Sequence, residues 1–123
     1  MLERFEHLQG HTIRNIEFRS NVKGDELIFT LTNGERYMLY HDQECCEGVY
    51  VEDIDAPLSL LIGVPIILAE EVTNANGSLE GRDSSFTWTF YKLATYRGAV
   101  TIRWYGGSNG YYSEKVSWAR SSR

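Results

Sequence analysis

Two basic residues, Lys92 and Arg103, lie in a stretch crowded with aromatic side chains, among them Trp88, Phe90 and Tyr105. Such a set suits an anionic nucleotide. A guanidinium grips a phosphate pair through two hydrogen bonds, and an aromatic ring stacks on a base. Just beyond, Asn109, Gly110 and Tyr111 belong to GGSNGYY, where glycine permits a nest of backbone N–H groups for an anion. The bland reading gives the two cations a carboxylate from elsewhere in the chain, and makes GGSNG a five-residue hairpin loop.

A second group, His41, Asp42, Glu44, Cys45, Cys46 and Glu47, has the donor atoms of a metal site. Its spacing fits no zinc ribbon or finger, and adjacent residues on a strand point to opposite faces. The plainer expectation is a polar loop leading into a strand, with Cys45 and Cys46 as two thiols, at least one of them buried. His41 with either thiol is the one nucleophile–base pair to imagine. There is no G-x-S-x-G elbow, H-E-x-x-H or Walker loop. The residues on offer stack, pair with phosphate and donate amides, so the chain reads as a binder with no catalytic residue, no cofactor and no metal.

The elements that must position the aromatic set are two strands, Phe86–Tyr96 and Ala99–Tyr105, joined at Arg97-Gly98, where Gly98 supplies positive φ. That turn sets Lys92 opposite Arg103, Tyr91 opposite Trp104 and Phe90 opposite Tyr105. One face then carries Thr95, Val100, Leu93, Ile102, Tyr91 and Trp104 as core. The other carries Trp88, Phe90, Tyr105, Lys92 and Arg103. Like charges directly opposite on a sheet repel, which asks for an anion between them. A second hairpin pairs Glu26–Thr32 with Glu35–His41 around Asn33-Gly34, with Leu27 opposite Tyr40 and Phe29 opposite Met38. Both its faces are apolar, so it is central.

A short helix is expected over Met1 to Gln9, a half-buried strand over Thr12 to Arg19, and a strand with Val49 and Val51 inward over Val49 to Ile54. A helical turn follows from Pro57 to Gly63, capped by Asp55, and then a buried strand from Val64 to Val72. Thr73 to Ser85 reads as a long polar loop, either plain surface or a lid. The last strand, Tyr111–Trp118, closes a hairpin with Thr101–Tyr105, and Ala119 to Arg123 is a frayed tail. The sum is one domain over residues 1–123: mostly β, a curled antiparallel sheet of about seven strands built from hairpins, with one or two short helices.

The chain has 123 residues and a net charge of −5. That length supports a core without staples, and that charge argues against a general DNA or polyanion binder. It leaves room for one basic pocket. The start MLERFEHLQGHTIRN has no apolar leader, and Pro57 to Ala69 is too short and broken to span a bilayer, so a soluble, cytoplasmic protein with no membrane partner is expected.

The strings YHDQECCEGVYVEDI, LIGVPIILAEEVTN, WTFYKLAT and TIRWYGGSNGYYSE, from Tyr40 to Glu114, resemble a family of small phage and prophage proteins connected to the first type of Thoeris anti-defence protein. The resemblance implies a phage-encoded sponge in the cytoplasm of the infected bacterial host. It would hold a cyclic ADP-ribose isomer made by a TIR-domain enzyme without cleaving it. It also implies a homo-oligomer, dimer or hexamer, and in some members a separate site for cyclic oligonucleotides. Within that frame Arg103 and Lys92 meet the pyrophosphate, Phe90, Trp88 or Tyr105 stacks on adenine, and Asn109, Gly110 and Tyr111 add amide contacts. Arg82 beside Asp83, with no aromatic between Thr73 and Ser85, departs from a loop that would stack on adenine. The alternative class is an acidic inhibitor that docks on a host protein through Glu44 to Asp55. A third is a metal- or thiol-dependent enzyme centred on His41 to Glu47.

Overall fold

Eight antiparallel strands form two four-stranded sheets in the computed structural model, which describes residues 2–76 and 85–121. The strands are β1 (Ile13–Asn21), β2 (Gly24–Leu31), β3 (Arg36–Tyr40), β4 (Gly48–Ile54), β5 (Leu68–Asn76), β6 (Ser85–Thr95), β7 (Gly98–Ser108) and β8 (Ser117–Arg120). One sheet has the order β1-β2-β3-β8 and the other β4-β7-β6-β5. The mostly-β expectation holds, with helix among the described residues confined to two 3-10 turns, Phe5–Leu8 and Leu58–Leu61. Among the described residues no helix is long and apolar enough to cross a membrane.

A shared core explains why the sheets face each other. Leu27, Phe29, Leu31, Tyr37 and Leu39 from the first sheet pack with Tyr91, Leu93, Val100, Ile102 and Trp104 from the second. Phe5 packs edge-on against Phe29, Tyr91 and Trp118. The predicted core face of the β6–β7 hairpin is the observed one.

The pairing along that hairpin differs from the expected register by two residues. The turn is Tyr96-Arg97, so Thr95 meets Gly98, Phe90 meets Arg103 and Lys92 meets Thr101. Gly98 follows the turn at φ 151°, and among the described residues no non-glycine has positive φ. The β2–β3 hairpin shifts by one residue, Leu27 pairing with Leu39 and Phe29 with Tyr37. Its loop is Thr32-Asn33-Gly34, closed by Gly34 N–H to Leu31 O at 2.9 Å, with Gly34 at φ 91°. A type I′ turn needs positive φ at Asn33 as well, and Asn33 lacks it.

Other boundaries move for local reasons. The first helix is a single 3-10 turn that buries Phe5 and Leu8. Asp55 caps no helix; its carboxylate accepts the Thr101 N–H at 2.8 Å. The buried strand expected from Val64 begins only at Leu68, because Pro65 has no N–H for a ladder. The strand that does form is a largely exposed sheet edge, with Leu68 and Val72 open to solvent. Side chains of the first 3-10 turn and its exit meet that edge: Gln9 Oε1 accepts the Ala69 N–H at 3.1 Å, and Glu6 Oε2 the Glu71 N–H at 2.9 Å. The expected loop Thr73–Ser85 is strand as far as Asn76, and strand again from Ser85. Its lid role and the Arg82–Asp83 pair lie outside the described residues.

The largest correction concerns the C-terminal third. Gly106 and Gly107 are not loop but strand, pairing with Val49 and Gly48 on one side and Thr87 and Phe86 on the other. No β7–β8 hairpin forms. The chain crosses to the first sheet, where β8 pairs with β3, and Ser121 is buried with its N–H on Arg36 O at 2.8 Å. The tail as far as Ser121 is therefore anchored, not frayed.

Candidate functional site

The outward face of β6 and β7 collects five of the expected site residues. Trp88 and Tyr105 are cross-strand partners with ring centroids 5.0 Å apart, edge to face. Phe86 stacks 6.4 Å from Tyr105, and Tyr50 of the neighbouring β4 closes the row at 5.6 Å. Phe90 sits between Val72 on β5 and Arg103 on β7. The period-two alternation of these strands puts every one of these side chains opposite the core.

Arg103 is the cation beside the Trp88 ring. Its guanidinium lies 5.3 Å from the Trp88 ring centroid, within cation–π range. It also pairs with Glu52 on β4, Nε donating to Oε1 at 2.7 Å and a terminal N–H to the same oxygen. Both partners stay over a third exposed, so the pair is worth at most about 1 kcal/mol. A carboxylate from the same chain is thus what Arg103 meets, not the like charge of Lys92. Lys92 is exposed, flanked by Thr101 on β7 and Glu70 on β5.

Asn109, Gly110 and Tyr111 lie past the end of β7. The Gly110 N–H donates to Ser108 Oγ and the Tyr111 N–H to Asn109 Oδ1, both at 2.9 Å. The expected nest is therefore filled by its own side chains. Tyr111 is 83% exposed and meets the Tyr112 ring edge-on at 5.0 Å. Gly110 lines a cavity of about 480 Å³ beside Thr87 and Thr89, on the opposite side of β6.

The segment His41–Glu47 forms something the sequence did not announce. The Glu47 side chain is fully buried, and its carboxylate accepts the Glu44 N–H at 2.8 Å, the Cys45 N–H at 2.9 Å and His41 Nε2 at 2.8 Å. The other His41 nitrogen, Nδ1, donates to Lys115 O at 2.6 Å. Burial alone would raise the Glu47 carboxyl, but these hydrogen bonds outweigh it and hold the group down at about 2. Both ring nitrogens of His41 are thus engaged, one by the Glu47 carboxylate and one by Lys115 O.

These contacts join the two places where the chain changes sheets. Residues 41–47 lead from β3 to β4 and residues 109–116 from β7 to β8, side by side. His41 and Glu44 of the first hold Lys115 O and the Ser113 N–H of the second. Cys45 and Cys46 are bonded to each other and both exposed, against the expectation of two thiols with one buried. Glu47 takes the inward position of this loop and the cysteines are left on its outer side. Among the described residues no group of three His, Cys, Asp or Glu side chains is arranged to hold a metal ion.

One family model matches the chain over residues 6–118, described as a domain of unknown function, DUF7448. No curated protein and no solved structure matches it.

Proposed function

The chain belongs to the DUF7448 family, and we propose that this member is a phage anti-defence sponge, a homo-oligomer that binds a cyclic ADP-ribose isomer without cleaving it. The ligand class follows from the resemblance of Tyr40 to Glu114 to Thoeris anti-defence proteins. The observation that carries the binding part is the row Tyr50, Tyr105, Trp88 and Phe86 with Arg103 beside Trp88. A half-buried aromatic row on a rigid sheet with one guanidinium at its edge offers stacking for adenine and a fork for the pyrophosphate. Phe90 and Lys92 extend the same face. The exposed Tyr50, Leu68 and Val72 give the sheet an apolar surface suited to a second copy.

Titration calorimetry with a cyclic ADP-ribose isomer tests the face. Trp88→Ala is expected to weaken binding by roughly ten- to a hundred-fold, since one lost base stack costs about 1–3 kcal/mol. Arg103→Ala should lose a similar amount through its charge-assisted contacts. Glu52→Gln separates ligand contact from structure: it frees the guanidinium and removes a repelling carboxylate, so affinity should rise. Unchanged affinity in all three variants, with folding intact, would remove the aromatic face as the site. Ligand released by heating is expected to return intact; release of linear ADP-ribose alone would instead mark an enzyme.

The direct-inhibitor reading rested on the carboxylates from Glu44 to Asp55. Four of them already have partners inside the chain: Glu44 on Ser113, Glu47 on His41, Glu52 on Arg103 and Asp55 on Thr101. That leaves less acidic surface for a host partner than the sequence suggests.

A further inference from the structure

Behind the aromatic face, on the core side of β5 and β6, the two sheets do not close on each other. β8 covers only Ser117–Arg120, so Thr73 of β5 and Thr87 and Thr89 of β6 face the segment 110–116 instead of a strand. Between them lies the cavity of about 480 Å³. Where the core would place branched hydrocarbon, these inward positions carry Thr73, Thr87 and Thr89, with Ser113 and Lys115 on the facing wall.

Two carboxylates on the cavity wall are held by internal donors. Glu114 accepts the Thr87 hydroxyl at 2.7 Å and the Ser108 hydroxyl at 2.5 Å. Glu71 accepts the Tyr91 hydroxyl at 2.7 Å. Lys115 is fixed along its backbone by His41 and by its own N–H to Ser113 Oγ at 3.2 Å. The wall is thus a set of hydroxyls and carboxylates on braced elements, with Tyr112 and Val116 as its apolar part.

We infer that this cavity binds a neutral sugar unit, a pentose or hexose ring, free or as part of a larger molecule. Each sugar hydroxyl needs a donor and an acceptor, and this wall supplies both, threonine and serine either way and glutamate as acceptor, while Tyr112 and Val116 suit the ring's C–H face. An apolar ligand would strip water from hydroxyls and leave them unpaired. A bare anion would face two carboxylates. The volume lies within the range of small-molecule sites, about 300–1,000 Å³. The inference is independent of the aromatic face, which lies on the other side of the same strands.

Amide-resolved NMR titration with D-ribose, D-glucose and inorganic phosphate tests it. Saturable shifts are expected with at least one sugar at the Thr87, Thr89 and Ser113 amides, with the Trp88 indole unmoved. Thr89→Val preserves shape and removes one hydroxyl, and should weaken that sugar about five-fold or more. Thr73→Val, on the more exposed β5, serves the same purpose if Thr89→Val fails to fold. Trp88→Ala should leave sugar binding unchanged. Absence of any saturable sugar response would overturn the inference. So would equal sugar affinity in the valine variants, or a saturable response to phosphate alone.

Discussion

Glu47→Gln is expected to destabilise the protein by about 1.5–3 kcal/mol, because it replaces a fully buried carboxylate that holds the His41 ring by charge-assisted hydrogen bonding. The glutamine also loses much of its hold on the Glu44 and Cys45 N–H groups, which fold residues 41–47 into a tight loop. Chemical denaturation reads the loss directly. The pH dependence supplies a second readout. The Glu47 carboxyl sits at about 2 in the folded state against an ordinary 4.5, so the unfolded chain takes up its proton first as pH falls. Its contribution is therefore complete above pH 4.5 and is lost as pH drops toward about 2. That acid limb should flatten in Glu47→Gln. Replacing His41 as well, in His41→Leu/Glu47→Gln, should cost less than the sum of the two single changes, since the two side chains are in direct contact. A single variant as stable as the parent would mean that the two crossings between sheets are held by something else.

Gly106→Ala should cost about 1–3 kcal/mol, the range for forcing atoms into a packed site. A Cβ built on Gly106 comes within 2.8 Å of Glu114 O and 2.9 Å of Glu114 Cβ, and a backbone oxygen cannot swing aside. Either β7 or the returning segment must shift. Glu114 is itself tied to Thr87 and Ser108, so the movement should break those hydroxyl contacts too. Thermal melts give the cost, and the Thr87 and Ser108 amide shifts show whether the segment has lifted. Gly48→Ala is the matched control, with nothing within 4 Å of its added carbon. Equal melting of both variants with unmoved Thr87 and Ser108 signals would show that the segment does not rest on β7.

Why some features were legible in the sequence and others not follows from the geometry of strands. The faces of β6 and β7 were readable because sliding a hairpin by two residues leaves every side chain on its own side. Trp88, Phe90, Lys92, Arg103 and Tyr105 are on one face in either register. The pairing itself was not readable: Gly98 signalled a turn, but the turn lies just before it. That error alone placed Lys92 opposite Arg103. At Asn33-Gly34 the motif marked the hairpin correctly but not its loop length, since Asn33 adopts no positive φ.

GGSNG misled for a different reason. Glycine pairs are commonest in turns, yet here Gly106 is required by the close passage of Glu114, a contact made by residues eight apart that local pattern does not encode. Glu47, read in sequence, points to the wrong chemistry. A carboxylate near His41 and two cysteines suggests a metal, whereas its partners are main-chain N–H groups that every sequence contains. Burial of Glu47, the fact that distinguishes the two readings, comes only from the way both crossings fold together.

Glu6 and Gln9 have a consequence beyond the fold they help complete. Their side chains occupy two outward donors of the β5 edge, the place where a strand from another molecule would otherwise add. They act as a guard against recruitment into fibres and precipitates, separate from the apolar anchoring that Phe5 and Leu8 provide. Alanine at both positions leaves that anchoring in place, so the harm would appear as poorer solubility in a still-folded protein. Yield in the cell and shelf life at high concentration would register such a change before any melting curve did.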